Sequence, residues 1–303
     1  MTDRILEISD EPARLAVRNS LLVIRRASGE EVTIPLADLA VLVVSHPQVS
    51  YTQAVLAGLV AQGGAFVTCN PQHLPVGMLL PLDAHYIQAE RFAVQVGASL
   101  PLRKRLWREI VRAKVRAQGL LLSTIHGNDA GLIALATQVR SGDPSNIEAQ
   151  ASRRYWPALF ADPAFRRDRD AQDQNRLLNY GYAILRAIVA RAIAAAGLHP
   201  SLGLHHHNRY NSFCLADDLM EPFRPKVDGA VWGIVAKSGP AAMLDRTTKA
   251  ALLQAITGRV TVQGESRTVF DAASIAASSL VAVLEKRAKR LILPENPCAQ
   301  ADA

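Results

Sequence analysis

Three stretches of this chain bring acidic and imidazole side chains close enough in sequence to act together. The first is Gly142-Asp143-Pro144-Ser145-Asn146-Ile147-Glu148-Ala149, followed by Ser152-Arg153-Arg154-Tyr155-Trp156. Ser145 is placed to cap a helix, which puts Glu148 in its first turns; a carboxylate there can serve chemistry or only balance the helix dipole. Ala149 and Ala151 let another element approach, while Tyr155 and Trp156 form a large apolar anchor. The second stretch is Gly203-Leu204-His205-His206-His207-Asn208, a loop after the helix-breaking Pro200. Neighbouring side chains of an extended segment point to opposite sides, so at most one or two of these histidines can face one metal; a solvated loop is the other reading. The third is Leu215-Ala216-Asp217-Asp218-Leu219-Met220-Glu221-Pro222-Phe223-Arg224-Pro225. On a helix, Glu221 shares a face with Asp218 at i,i+3 and with Asp217 at i,i+4. Such like-charge pairs cost a few tenths of a kcal/mol each unless a cation compensates, and a wet acidic surface is the alternative.

Together these stretches supply two or three carboxylates and one imidazole. That hard, mostly oxygen donor set suits Mn²⁺ and tolerates Mg²⁺, and it lacks the thiolates or multiple histidines that favour zinc. A cation held this way polarises a phosphoryl oxygen and stabilises charge on the attacking and leaving oxygens. The chain carries 34 Lys+Arg against 27 Asp+Glu, a formal net charge of +7, so its average surface favours polyanions. A basic protein with such a site has a natural substrate in the phosphodiester backbone. Arg105, Arg108, Arg112 and Arg116 recur at helical spacing as one basic stripe, and Arg153, Arg154, Arg166, Arg167 and Arg169 cluster near Glu148 in sequence. As DNA contacts, each would add to a steep salt dependence; a solvated face is the plain alternative. Lys286, Arg287, Lys289 and Arg290 read as solubilising or interface residues.

The elements that must position these groups fall into two parts. Residues 4–80 contain short runs with branched apolar residues (Arg4–Ile8, Ala13–Val17, Leu21–Arg25, Glu31–Ile34), separated by Ser9-Asp10, Asn19-Ser20 and Ser28-Gly29. Leu39–Val44 is a continuous apolar run, hence a buried strand, and Ala65–Thr68 is another. One helix over Tyr51–Gln62, capped by Ser50 and ended by Gly63-Gly64, interrupts them. Near Asp83 the period changes from two to about 3.6. Helices are expected over His85–Val96, Leu102–Leu121, Asp129–Val139, Ile147–Leu159 and Gln172–Ala196, then near Phe213–Phe223, Val227–Val235, Thr247–Thr257 and Val269–Arg290. The expectation is an α+β protein: a small, mostly antiparallel N-terminal β domain with one helix (1–82), then a larger all-helical catalytic domain (83–303). Cys69, Cys214 and Cys298 show no paired spacing, which fits a reducing cytoplasm, and no membrane-spanning or leader segment is apparent.

Here the motifs become recognisable. Asn146-x-Glu148-Ala149-x-Ala151 with Tyr155-Trp156 resembles the signature around the first metal-binding glutamate of the CRISPR-associated integrase/endonuclease family, the catalytic subunit of spacer acquisition. Gln174-Asn175-x-x-Leu178-Asn179-Tyr180-Gly181-Tyr182 is similar to that family's central helix, and Gly203-x-x-His206 to its glycine-to-histidine spacing. Leu215 to Pro225 resembles its third motif in the form found with type II systems; most type I relatives carry a second acidic residue where this chain has Pro222. Carried over by position, the resemblance implies Glu148, His206 and Glu221 as metal ligands and Asp218 as a supporting acid, with His206 favoured over His205 and His207 by the step from Gly203. Pro222 is expected to kink the chain at Glu221. The resemblance further implies a homodimer through the β domains and a small ferredoxin-like CRISPR-associated subunit that bridges two dimers into a heterohexamer. Its reaction would be in-line transesterification, inserting short captured double-stranded DNA into the repeat array without a nucleotide cofactor. Two other classes use the same residues: a catalytically silent DNA-binding scaffold, and a metal-dependent hydrolase of small phosphate esters.

Overall fold

The computed structural model describes residues 4–168 and 170–296, so Arg169 and Cys298 lie outside the described residues. The chain divides into two compact units, Met1–Tyr86 and Ile87–Ala303. The first holds β1 (Arg4–Ile8), β2 (Ala13–Arg18), β3 (Leu21–Arg26), β4 (Glu31–Pro35), β5 (Leu39–Val44), β6 (Ser50–Tyr51), α1 (Gln53–Ala61), β7 (Ala65–Cys69) and β8 (Pro75–Leu79). They form two four-stranded sheets, ordered β1-β5-β7-β8 and β4-β3-β2-β6.

The strand-rich first unit is present, with antiparallel pairings (β2–β3, β3–β4 and β7–β8) alongside an equal number of parallel ones. β2, β3 and β4 pair antiparallel through tight turns, the first of which has both Asn19 and Ser20 at positive φ, as a two-residue hairpin turn requires. By contrast β1–β5, β5–β7 and β2–β6 are parallel. The connection from β5 to its parallel neighbour β7 runs through β6 and helix α1, because parallel neighbours need a long connection. All six residues of β5 are buried, the signature of a strand covered on both faces. Leu15, Leu22, Leu42, Val55 and Leu59, each at 0% exposure, form the centre of this unit's core. Ser50 does not cap α1: it pairs with Arg14 as strand, and Thr52 takes the N-cap position.

The second unit holds α2 (Gln88–Val96), α3 (Leu100–His126), α4 (Leu132–Thr137), α5 (Ile147–Phe160), α6 (Asn175–Ala195), α7 (Cys214–Met220), α8 (Arg224–Ser238), α9 (Arg246–Ile256), β9 (Arg259–Val262), β10 (Glu265–Thr268) and α10 (Val269–Leu284). The expected all-helical domain is therefore interrupted by a hairpin. Its turn places Gln263 (φ 53°) and Gly264 (φ 75°) in the left-handed region, and four-residue strands are too short to show a clear alternation in sequence.

Three helices organise the site. Pro101 sits in the first turn of α3, where its missing N–H costs nothing, and Gly127 ends the helix at φ +71°. The buried stripe of α3 includes Trp107, Ile110, Val111, Gln118 and Leu122. Helix α6 is long and apolar enough to cross a membrane by length and composition, yet 78% of its apolar window is buried inside the fold, as in a core helix. A Cβ on Gly181 would collide with Val227, so this glycine allows α6 and α8 to approach closely.

Candidate metal and phosphodiester site

Glu148 lies in the first turn of α5. The cap is not Ser145: Asn146 turns the chain with φ 51°, and the Asp143 carboxylate accepts from the backbone N–H groups of Ile147 (2.9 Å) and Glu148 (3.0 Å). Asp143 is better placed because its two oxygens satisfy two of the helix's orphan donors at once. The Glu148 carboxylate then faces α3, where Lys114 Nζ lies 2.6 Å from its Oε1.

Glu221 reaches the same ammonium from another direction. Helix α7 passes into α8 through a 3-10 turn at Glu221–Phe223, the local irregularity introduced by Pro222, although Glu221 itself keeps α-helical angles (φ −51°, ψ −44°). Its Oε2 is 2.6 Å from Lys114 Nζ, and its Oε1 is 3.0 Å from Arg224 Nε. The side chain is only 4% exposed, and Oε2 is buried without an aligned hydrogen bond. Burial works against its charge, but Arg224 and Lys114 outweigh it and hold the Glu221 carboxyl below the ordinary glutamate value. Lys114 is the mirror case: burial disfavours the ammonium, yet Glu221 and Glu148 together keep it above the ordinary lysine value.

Asp217 and Asp218, equivalent by spacing, are separated by the fold. Asp217 pairs with Arg186 (2.7 Å) and accepts from Asn211 (2.7 Å), away from Lys114. Asp218, at 0% exposure, gathers the histidine loop: it accepts the backbone N–H groups of Leu204 (2.6 Å), His205 (2.9 Å) and His206 (3.2 Å) and lies 2.6 Å from His206 Nδ1. That contact commits Nδ1, leaving Nε2 as the nitrogen available to a ligand. The Asp218 hydrogen bond, opposed by burial, raises the His206 pKa above its ordinary value. Gly203 is required here by space. A Cβ would run into the His206 carbonyl and come within 2.9 Å of Cys214 Cβ and 3.1 Å of Asp218 Oδ2. His205 stacks on Trp107 (4.2 Å between centroids, 2° between planes), and burial lowers its pKa. His206 meets the same indole edge-on, and His207 is exposed.

Among the described residues, no three of His, Cys, Asp and Glu already converge on one metal position. Trp107, beside the imidazole, and Lys114, beside the carboxylates, are two helical turns apart on α3, about 10 Å along its axis. The donor chemistry nevertheless fits a hard divalent cation: two carboxylates already share one positive charge, one of their oxygens is buried without an aligned donor, and the imidazole is oriented by a carboxylate.

Behind this layer lies a second buried network. Asp228 on α8, 1% exposed, accepts hydrogen bonds from Tyr155 (2.7 Å) on α5 and from Tyr182 on α6. Arg224 covers the Tyr182 ring at 4.6 Å. Burial raises the Asp228 carboxyl to about 6, against 3.8 for an ordinary aspartate. Because the folded form holds its proton into a range where the unfolded chain has lost it, stability falls as pH rises from about 4 to about 6. Asp228→Asn is expected to flatten that slope, removing roughly 3 kcal/mol of pH dependence at most. Thermal denaturation of both proteins across pH 4–7 checks this; parallel curves would reject the assignment.

The expected arginines are divided. Arg153 and Arg154 are exposed on α5. Arg166 donates to the carbonyls of Pro163 and Phe165, and Arg167 is tied to Asn175 and Asn179, so both guanidinium groups take part in the fold. Arg112 donates to the carbonyls of Ala136 and Thr137. Arg105 and Arg108 keep a buried Nε with no hydrogen-bond partner, and Arg116 is exposed. Sequence reasoning missed Lys114, Arg224 and Asp228. The signal for Lys114 was present: it lies seven residues after Trp107 and four before Gln118, a charge on a stripe that is otherwise apolar or buried.

The fold and site define a two-unit α+β protein whose helical unit brings two carboxylates to one lysine ammonium, with a carboxylate-oriented imidazole about two turns away along α3. A family model described as CRISPR associated protein Cas1 matches residues 6–262, and the chain belongs to that family. It is 37% identical over 299 residues to the CRISPR-associated endonuclease Cas1 of Neisseria meningitidis serogroup C (strain 8013), covering 97% of each chain. It is 26% identical over 232 residues to CRISPR-associated endonuclease Cas1 2 of Pyrobaculum aerophilum, covering 72% of this chain and 78% of that one. Among solved structures, a casposase bound to its integration product matches with a TM-score of 0.79 at 19% identity, over 99% of this chain and 96% of that one. A Cas1 protein from Thermotoga maritima matches at 0.76 and 19%, over 93% and 97%. At these identities the structural likeness concerns the fold.

Proposed function

We propose that this chain is the metal-dependent DNA endonuclease and integrase of a CRISPR system of the type II form, inserting short foreign DNA into the repeat array as part of antiviral defence. The observation that carries the reading is the meeting of Glu148 and Glu221 on the Lys114 ammonium, 2.6 Å from each, with a histidine oriented by Asp218 in the same helical unit. Glu148, Glu221 and His206 Nε2 would hold Mn²⁺ or Mg²⁺, which when bound polarises the phosphoryl oxygen and eases charge on the attacking and leaving oxygens. In the reaction, the 3′-hydroxyl of the captured fragment attacks the phosphorus at a repeat boundary. One P–O bond forms as the bond to the target strand's 3′ oxygen breaks; the hydroxyl gives up its proton and the leaving oxygen gains one. Asp218 keeps the imidazole turned with Nε2 outward, and Arg224 keeps the Glu221 carboxylate charged.

The proposed assembly is a cytoplasmic homodimer built through the first unit, joined to a small ferredoxin-like bridging subunit in a heterohexamer. What supports a second CRISPR-associated subunit is a solved Cas6-RT-Cas1–Cas2 complex, part of which shares this fold with a TM-score of 0.74. The test is joining of a short fluorescent duplex to a supercoiled plasmid carrying a repeat array, with the bridging subunit and Mn²⁺ or Mg²⁺. Wild type is expected to place label at the repeat boundary, and Glu148→Ala and His206→Ala to lose at least roughly 100-fold. Joining by His206→Ala but not by His205→Ala would move the ligand one position. Tight DNA binding with neither joining nor cleavage would leave the silent scaffold. Hydrolysis of an aryl phosphate without salt-sensitive DNA binding would favour the small-ester enzyme.

A further inference from the structure

The arginine stripe of α3 does not face the carboxylates. Residues on an α-helix advance by about 100° each, so Arg112 and Arg116, two positions either side of Lys114, point to the opposite side of the helix. Arg108 is turned about 120° from Lys114 by the same count, and Arg105 about 180°. The chain brings a second, sequence-distant basic group to that far side. Arg290, from the run that follows α10, joins Arg108, Arg112 and Arg116 around an open cleft of about 540 Å³, with Glu109 and Glu295 at its edge. Glu109 is occupied, since its Oε2 accepts the backbone N–H of Leu291 (2.9 Å) and pins the returning segment against α3. Arg112 is occupied as well, through the α4 carbonyls. Arg116 and Arg290 remain exposed, and Arg108 lines the cleft beside them. Four planar guanidinium groups line this one cleft, those of Arg116 and Arg290 exposed, in a chain with net charge +7, and they match the geometry and charge of phosphodiester oxygens.

We infer that this cleft is a second DNA-backbone site, separate from the reacting centre and on the opposite face of α3. It rests on the reading of the chain as a DNA-acting protein and adds to it a position: the cleft grips a part of the duplex other than the phosphodiester at Glu148 and Glu221. The lysines and arginines after α10, read from sequence as solubilising or interface residues, thereby gain a member that binds DNA.

The experiment is duplex binding by the full-length protein as a function of salt. It compares wild type, the cleft variant Arg108→Gln/Arg116→Gln/Arg290→Gln, and a charge-matched control, Arg14→Gln/Arg140→Gln/Lys237→Gln, changed at exposed positions elsewhere. Arg112 is left intact because it holds α4. The cleft variant is expected to bind ~10- to 100-fold more weakly at low salt, with the slope of log K against log [salt] shallower by about 2.7, roughly 0.9 for each lost contact. The control should keep the wild-type slope more closely. An unchanged slope in the cleft variant, an equal loss in the control, or no salt-dependent duplex binding by wild type would each overturn the inference. Strand joining by wild type, scored in parallel, separates the two readings. Joining with an unchanged cleft-variant slope overturns the cleft alone, whereas cleft-dependent binding without joining overturns the reaction and leaves the cleft.

Discussion

Asp218→Ala is expected to lose strand joining and to destabilise the fold by about 3–5 kcal/mol, because one fully buried carboxylate holds the entire histidine loop. Asp218 accepts three backbone N–H groups and contacts His206 Nδ1, at 0% exposure. Removing it leaves those donors buried without partners, and breaking a buried charged pair from one side costs in that range. Since an unfolded variant says nothing of chemistry, Asp218→Asn is the informative companion. Its amide nearly keeps the volume and can still accept from the loop. It no longer favours a proton on His206 Nδ1, so the imidazole can turn its protonated nitrogen toward the site. Joining is then expected to fall by roughly 10- to 100-fold with the melting temperature largely kept, the scale on which partners of metal-binding histidines act. Wild-type joining by a folded Asp218→Asn protein would show that the contact serves the loop's architecture alone.

Lys114→Met carries the second large effect, and its sign depends on what fills the site. The ammonium sits 2.6 Å from both Glu148 and Glu221, and its side chain is 13% exposed against 4% for Glu221. Methionine is close in length but uncharged, so the two carboxylates face each other with Arg224 as the nearby cation, at Glu221 Oε1. Loss of one partner from such a buried arrangement costs about 3 kcal/mol or more. For a unit of this size that is on the order of 6–12 °C in melting temperature. A divalent cation replaces the missing charge and no longer competes with the lysine. Added Mn²⁺ should therefore raise the melting temperature of Lys114→Met by more than that of wild type, by the linkage between ligand binding and stability. Equal Mn²⁺ shifts in the two proteins would mean that Lys114 does not share the cation's position. The measurement needs no DNA and no turnover, so it tests the site independently of strand joining.

Much of the site was legible before any coordinates. Glu148, His206, Asp218 and Glu221 carry their chemistry in their side chains, and the motifs around them place them in order along the chain. The turn at Asn19-Ser20 and the close-packing glycines Gly181 and Gly203 are local demands, written in residues that tolerate left-handed backbone or lack a Cβ. What the sequence could not decide was which of two equal neighbours does what. Asp217 and Asp218 both share a face with Glu221 by spacing. One goes to Arg186 and the other to His206 only because α6 and the histidine loop pack on different sides of α7. Lys114 is one of many charges along a long helix, and only the fold brings α5 and the turn after α7 to it, from segments 34 and 107 residues away in number. The direction of the strands in the first unit and the far-side position of the arginine stripe have the same origin. Spacing along a chain specifies which side chains share a face, but the packing of distant elements decides what that face meets.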